Sequence, residues 1–418
     1  MNKIIEKQLN NAKKASISFS LLSHAQRNLI LGNLAKELYK NKKLIIEANK
    51  KDLKNIPLND EMRDRLLLNN ERIDGMIKEI KNLTKMPDPI GEIFDCRKNL
   101  GLKICKKRVP IGVIGVIYES RPNVTTDVAA ICIKSGNGII LKGGKEGRES
   151  YIALHKIIKN ALVKSKISSE IVQFIDPKIK DAALDIISAN GLVDLIIPRG
   201  SSNLINFVRK NATVPVIETG AGVCHTYVDD KAKLDLSAQI IFNAKTERVS
   251  VCNALDTMLV HKNIAKEFLP KVVKLLIERK VEIFADNLSF QILENIYPKN
   301  LLKKAQISDF GREFLSQKMS IKIVSDINEA IQFINKYSSK HSEAILTENK
   351  KNADKFLNEI DAAVVYVNAS TRFSDGAVFG LGSEIGISTD KIHARGPMGP
   401  NEMTTYKWLV SGKYNIRK

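Results

Sequence analysis

Apolar positions in the first hundred residues recur three and four apart, the spacing of one buried helix face. Ser23-His24-Ala25-Gln26 has the form of a capping box, and Leu31, Leu34 and Leu38 then share a face behind it. After residue 110 the period changes. Ile111 to Tyr118 is a continuous apolar run of strand length; Asp127 to Ser135 reads as a helix ended by Gly136. Ile139 to Lys142 reads as a strand and Glu146 to Val163 as a helix. Val172 to Ile175, Val193 to Ile197 and Val216 to Glu218 are further strand runs, with helices near 180–189 and 201–210 between them. Continuous apolar strands alternating with helices predict an α/β fold with a doubly wound parallel sheet, whose ligands bind beyond the strand carboxyl ends.

From about residue 221 the alternation restarts. Val223–Val228, Ala254–Val260, Lys322–Val324, Ala344–Thr347 and Val364–Val367 read as strands, with helices such as Ala265–Arg279 and Asn328–Tyr337 between them. This is the pattern of a second α/β domain. The segment Asn99 to Lys106 reads as a strand outside the first core, and the tail is expected to pair with such a strand in a neighbouring subunit. The expected division is therefore a nucleotide-binding domain over 1–220, with 95–108 as an oligomerisation strand region. A catalytic domain follows over 221–400, and an oligomerisation tail over 401–418. Two domains are also what 418 residues suggest by length alone.

Composition narrows the class. Hydrophobic content of 44% and charged content of 27% are those of a soluble globular chain. The apolar runs fall short of the roughly 18–20 residues of a membrane span. Met1 to Lys7 alternates charge with apolar residues, unlike a signal-peptide core, so a cytoplasmic protein with no membrane partner is expected. Five cysteines without a C-x-x-C pair predict reduced thiols and no disulfide framework. Six histidines without H-x-x-x-H spacing give no support for a metal site. Net charge is +20, from 66 basic and 46 acidic residues. The lysines are spread along the whole chain and no basic run is interleaved with aromatics, so a nucleic-acid partner is not expected. The positive field still favours an anionic substrate.

The candidate chemistry centres on Cys252, in Glu247-Arg248-Val249-Ser250-Val251-Cys252-Asn253-Ala254. A nucleophilic thiol needs a polar, cation-bearing setting, which Arg248, Ser250 and Asn253 offer. Cys132, among apolar residues, reads as core, and Cys224 cannot pair with adjacent His225 because strand neighbours face opposite ways. Upstream, Glu218 stands in Pro215-Val216-Ile217-Glu218-Thr219-Gly220-Ala221-Gly222, where a carboxylate base would be aimed into a cleft. Glu119 to Thr126 follows the first strand of the sheet. Its Asn123 amide suits a developing oxyanion and Arg121 suits a carboxylate or phosphate, although an ordinary helix-capping turn reads the same way. Lys142-Gly143-Gly144-Lys145-Glu146-Gly147 and Arg199-Gly200-Ser201-Ser202 each follow a strand and open a helix. Two such turns on one sheet point to a phosphate-bearing nucleotide, although neither is a Walker loop and G-x-G-x-x-G is missing. Arg372 and Arg395 lie in further glycine-containing polar loops.

Together these stretches resemble the aldehyde dehydrogenase superfamily, and within it the branch that reduces L-glutamyl 5-phosphate to L-glutamate 5-semialdehyde on the way to proline. The resemblance spans nearly the whole chain. It is carried by Ser120-Arg121-Pro122-Asn123-Val124-Thr125, Leu141 to Glu146, Val216 to His225, Val367-Asn368-Ala369-Ser370-Thr371-Arg372-Phe373 and His393-Ala394-Arg395-Gly396-Pro397-Met398-Gly399. It implies an aldehyde dehydrogenase-like fold with a small oligomerisation extension. It makes Cys252 the thiol nucleophile, Asn123 the oxyanion amide and Glu218 a proton-handling carboxylate. Lys142 then holds the adenosine ribose and Glu313 the nicotinamide ribose, with Lys145 and the Arg199-Gly200-Ser201 turn completing the cofactor set.

Where NAD-using relatives place a glutamate on the ribose, this chain has Lys145, which attracts a 2′-phosphate and implies NADPH. Arg121, Arg372 and Arg395 are unranked candidates for the substrate's carboxylate or phosphate. A homo-oligomer and contact with a glutamate 5-kinase are also implied. Two departures from the family pattern stand out: Glu247-Arg248-Val249 in place of Gln-Arg-Pro before the cysteine, and Lys318 at an apolar position. A hydrolytic NAD(P)-dependent semialdehyde dehydrogenase is the alternative enzyme. From outside enzymes, the alternatives are a basic nucleic-acid-binding protein on an inactivated scaffold and a merely structural homologue.

Overall fold

The computed structural model describes residues 1–54, 56–57 and 61–417. Lys418, the last residue of the expected tail, lies outside them. The chain forms two compact units: Met1–Thr219 with Phe379–Gly386 and Pro397–Lys418, and Gly220–Val378 with Ile387–Gly396. The second unit is thus not continuous to residue 400. Ile385 N donates to Met398 O at 2.9 Å and Met398 N to Gly386 O at 2.8 Å, pairing the two returning segments with each other.

In the first unit, helices Lys3–Phe19, His24–Lys40, Lys42–Leu53 and Asn70–Lys85 precede the sheet. The Ser23–Gln26 capping box forms as expected, and Leu31, Leu34 and Leu38 are fully buried. Two strands follow, β1 (Ile93–Asn99) and β2 (Leu102–Pro110), then β3 (Val113–Tyr118), β4 (Gly138–Lys142), β5 (Val172–Phe174) and β6 (Leu195–Arg199). The last four make a parallel sheet in the order β5-β4-β3-β6. Ile5 and Leu9 of the first helix pack into one core with Val113, Ile117 and Ile140 of the sheet. Each such fully buried side chain contributes about 1.5–3 kcal/mol. Val216 to Glu218 does not become a strand: Ile196 N donates to Pro215 O and Ile217 N to Ile196 O, a single bridge beside β6. Proline at 215 lacks the N–H that would extend the ladder.

β1 and β2 form a hairpin, and the C-terminal strand Thr404–Ser411 pairs antiparallel with β2, from Thr404 opposite Pro110 to Ser411 opposite Lys103. The tail therefore fills the edge of β2 within its own chain, a correction to the expected pairing with a neighbouring subunit. A second correction concerns the thiols: Cys96 and Cys105 are disulfide-bonded across this hairpin. The register skips between Phe94 opposite Lys106 and Arg97 opposite Ile104, and this bulge brings the two Cα atoms to 4.2 Å. An odd cysteine count carries no information about such a local cross-strand contact.

The second unit holds β7 (Cys224–Val228), β8 (Leu255–His261), β9 (Glu282–Ala285), β10 (Leu302–Lys304), β11 (Lys318–Val324), β12 (Ser342–Leu346) and β13 (Val364–Val367). All are parallel, in the order β10-β9-β11-β8-β7-β12-β13. The short strands β9 and β10 escape the apolar pattern because they carry Glu282, Lys303 and Lys304; Lys303 and Lys318 pair with Glu282. Helices Leu234–Thr246 and Ala265–Leu276 cover one face through Ile241, Phe268, Leu269 and Val272. Helices Ile327–Tyr337 and Lys350–Glu359 contribute Ile331, Ile334 and Phe356 to a separate core with Tyr227 and Leu259.

Candidate active site

Neighbouring strands β8, β7 and β12 begin at the same edge of the second sheet; polar residues come just before β8 and β12, and the small residues Gly220, Ala221 and Gly222 before β7. Cys252 lies in the turn between helix Leu234–Thr246 and β8 and is partly exposed. His341, fully buried, immediately precedes β12, and its Nε2 is 3.1 Å from Cys252 Sγ. The loop before it fixes its position: Lys340 takes a left-handed φ of 65°, Lys340 N donates to Ser338 Oγ at 2.7 Å, and Ser338 Oγ donates to Glu343 at 2.5 Å. On the far side of the ring, Nδ1 is 2.9 Å from Ser342 Oγ. Ser342 continues to Ser374 Oγ at 2.6 Å and Ser374 to Tyr366 OH at 2.9 Å. This cluster sits at strand amino ends, so the carboxyl-end rule that led the sequence reading does not govern the second unit.

The other two free thiols are held neutral. Burial pushes Cys224 well above the usual thiol value, and its Sγ donates to the Cys252 carbonyl at 3.2 Å. Cys224 thus steadies the backbone at Cys252. Burial raises Cys132 in the same way. His225 turns away from Cys224, as strand alternation requires, and meets Glu343 at 3.1 Å. Arg248, the cation expected beside the sulfur, is exposed.

Around Cys252, the Glu313 carboxylate accepts from Gly222 N at 2.9 Å. Arg372 donates through NH1 to Asn253 Oδ1, and its Nε is 3.7 Å from Glu247. Asn253 Nδ2 in turn donates to Ser374 O at 2.9 Å. Arg372 therefore holds the residue next to Cys252. Arg395 does not join this cluster: with Lys340 and Lys391 it surrounds Asp361, at 2.7, 3.1 and 2.8 Å.

In the first unit the expected residues do follow strand carboxyl ends. Asn123 opens the helix after β3 and its Nδ2 donates to Asp127 Oδ2, one turn on, at 2.8 Å. Burial, with Glu79 nearby, raises Asp127 well above the ordinary carboxylate value. Arg121 occupies the same turn, where its carbonyl accepts from Val124 N at 3.1 Å. Lys142 ends β4, and burial lowers its ammonium against the pull of Glu146 and Glu119. Lys145, three residues on, is exposed. A half-buried and an exposed lysine at the end of a parallel strand fit the anionic groups of a nucleotide.

The Arg199-Gly200-Ser201 turn is differently disposed. Ser201 N and Oγ donate to the Glu119 carboxylate at 2.7 and 3.1 Å, so an anion from the chain itself already sits there. A Cβ on Gly386 would stand 2.1 Å from Arg199 NH1, which places that guanidinium against the returning segment. Glu218 lies 3.7 Å from Arg209. His341, Asp127 and Glu119 escaped the sequence reading. Only His341 left a signal, an imidazole set between serines and a lysine at the mouth of an apolar run.

Among the described residues no helix is long and apolar enough to cross a membrane, and no group of three or more His, Cys, Asp or Glu is placed to hold a metal ion.

A partly exposed thiol against an imidazole in one α/β unit, and lysines with an amide at the strand ends of another, are an arrangement suited to a thiol-dependent, nucleotide-using α/β enzyme. The chain belongs to the aldehyde dehydrogenase family, whose model matches residues 2–287 and 318–408. With that family comes a nicotinamide cofactor. Over all 418 residues, covering both chains entirely, it is 50% identical to the gamma-glutamyl phosphate reductase of Legionella pneumophila. The crystal structure of gamma-glutamyl phosphate reductase from Thermotoga maritima superposes with a TM-score of 0.93 at 43% identity, covering 99% of this chain and 100% of that one. Glyceraldehyde-3-phosphate dehydrogenase of Methanocaldococcus jannaschii, solved with NADP, shares the fold at 18% identity, with a TM-score of 0.73 over 98% of this chain and 94% of that one. Glu313 falls in the stretch that the family model leaves unmatched.

Proposed function

We propose that this chain is an NADPH-dependent reductase that converts L-glutamyl 5-phosphate to L-glutamate 5-semialdehyde and phosphate in proline biosynthesis. The observation that carries the reading is the partly exposed Cys252 thiol set against His341, in a chain that matches such reductases from end to end. In this reading the Cys252 thiolate attacks the acyl carbon. The C–S bond forms, the bond to the phosphate oxygen breaks, and phosphate leaves with its electron pair. The second N–H of Asn123, the first being held by Asp127, and the Cys252 backbone N–H receive the oxyanion.

NADPH, when bound, supplies the hydride that reduces the acyl group. Lys142 and Lys145 are assigned to its ribose and 2′-phosphate, and Glu313 to the nicotinamide ribose. A phosphate at the Arg199-Gly200-Ser201 turn would have to displace the Glu119 carboxylate. Glu218 is assigned to proton handling. Of the three arginines, Arg372 is favoured for the substrate's anionic end because it adjoins Asn253, with Arg121 second; Arg395 is committed to Asp361.

A cytoplasmic homo-oligomer is part of the same reading. The three-stranded sheet of β1, β2 and the C-terminal strand leaves Tyr406, Trp408 and Val410 exposed, and a second copy would cover them. The test is NADPH formation from glutamate semialdehyde and NADP, with and without inorganic phosphate, beside Cys252→Ala. Phosphate-dependent turnover lost in the variant supports the proposal. Turnover without phosphate would instead mark a hydrolytic dehydrogenase, and turnover surviving in the variant would name a different nucleophile.

A further inference from the structure

His341 reaches Cys252 from the loop that leads into β12, 89 residues along the chain. Its Nε2 lies 3.1 Å from Sγ, and its Nδ1 faces the hydroxyl chain Ser342, Ser374 and Tyr366. The ring is fully buried, so packing holds its orientation. A neutral imidazole carries one proton. With the proton on Nδ1, the ring donates to Ser342 Oγ, Ser342 turns its own proton to Ser374, and the Nε2 lone pair faces the thiol. With the proton on Nε2, an N–H would point at a thiol sulfur, a poor acceptor. The first arrangement leaves each polar atom better matched, and it is also the arrangement of a base.

We infer that His341 is the base that activates this thiol: its Nε2 takes the Cys252 proton and the imidazolium then holds the thiolate. The inference rests on the reading of Cys252 as the nucleophile. The S–H bond breaks, an N–H bond forms at Nε2, and the sulfur keeps the electron pair; no other reactant is needed. Ser342 Oγ accepts from Nδ1–H before and after the transfer, so the charged ring keeps a partner on each side. When the C–S bond later breaks, the thiolate returns to the same imidazolium.

The charged groups around the pair are already engaged. Facing the pair are Cys224, 3.9 Å from Nδ1 and held neutral by burial, and Glu343, bound to His225 and Ser338. Asp256 accepts from Cys224 N at 3.5 Å, and Glu313 from Gly222 N at 2.9 Å. The cations are Arg372, on Asn253 and Glu247; Lys245, bound to Leu255 O; and Lys340, paired with Asp361. The named carboxylates and cations are equal in number and each is held by a partner of its own, so the geometry of the pair and its hydroxyl chain carries the inference.

The test is the pH profile of Cys252 alkylation by iodoacetamide in the full chain, read by peptide mass, for the wild type and His341→Gln, with Cys252→Ala as the control. The wild type should alkylate at least about tenfold faster than the variant at neutral pH. The two rates should converge above the free-thiol range of about 8.5. Coincident profiles would make His341 a packing residue and overturn the inference. Should His341→Gln fail to fold, the thiolate absorbance of the wild type minus that of Cys252→Ser gives the same answer. An inflection well below about 8.5 supports the base, and one at or above it sinks the idea. Neither measurement uses acyl phosphate or NADPH. A shifted profile without phosphate-dependent turnover would therefore fault the assigned reaction and leave the base standing, and the converse result would fault the base alone.

Discussion

Gly222 runs so close beneath Cys252 that a Cβ at position 222 would stand 1.6 Å from the Cys252 carbonyl oxygen and 2.6 Å from its Cα. The obstacle is backbone, not the yielding end of a side chain. Gly222→Ala must therefore push the Cys252 turn away from His341 or break the Gly222 N–Glu313 bond. Overpacking of this kind costs about 1–3 kcal/mol. The expected outcome is a Tm lowered by several degrees and kcat lowered about tenfold or more, since small displacements of a nucleophile are costly. Calorimetry beside steady-state kinetics checks it; an alanine variant with wild-type kcat would show that the turn has slack.

Cofactor choice is assigned to one exposed side chain. Lys145→Glu replaces an attractive charge by a repulsive one where the 2′-phosphate is assigned, and Lys145 makes no contribution to a buried core. The ratio of kcat/KM for NADPH over NADH should fall about tenfold or more, with the Tm within a degree or two of the wild type. An unchanged ratio would move the 2′-phosphate site elsewhere.

Much of the first unit was legible because its strands are continuous apolar runs: β3, β4 and β6 lie within two residues of where the pattern puts them. The second unit was read less completely. β9 and β10 are short and carry charge, so nothing in their periodicity separates them from loops. The site divides the same way. Cys252 stood out by its polar neighbours, whereas its partner His341 is far along the chain and becomes visible only when β8, β7 and β12 are laid side by side. Arg248 illustrates the converse error: adjacency in sequence suggested a cation at the sulfur, and the turn points it to solvent.

The hairpin cysteines have a consequence for the thiol count. With Cys96–Cys105 closed, Cys132, Cys224 and Cys252 are the free thiols. Denatured protein handled without reductant should then titrate three thiols, and five after reduction. Five thiols without reduction would show that the hairpin pair stands open. Reducing the pair should leave kcat unchanged, since both residues lie in the hairpin sheet rather than in the Cys252 cluster. A kcat that follows the redox state would contradict that separation.

His155 makes stability depend on pH in a defined window. Burial lowers its pKa from the model-peptide value of 6.5 to about 4; its Nε2 is 3.2 Å from Val172 O, and its ring packs tilted on Phe174 at 5.8 Å. Between those two values the unfolded chain binds the proton that the folded chain refuses. Stability therefore falls as pH drops from about 6.5 toward 4, by an order of magnitude of 1–3 kcal/mol. Paired carboxylates such as Asp361, held low by Lys391, Arg395 and Lys340, lose their contribution over the acid range too, so the wild-type curve alone does not isolate the histidine. His155→Phe keeps the ring contact with Phe174 and removes the titration, at the loss of one hydrogen bond worth about 1 kcal/mol. Its Tm should start lower at pH 7 and fall less between pH 7 and 5 than that of the wild type. Parallel curves for the two proteins would mean that His155 is not charged on unfolding and that the acid sensitivity lies wholly in the carboxylates.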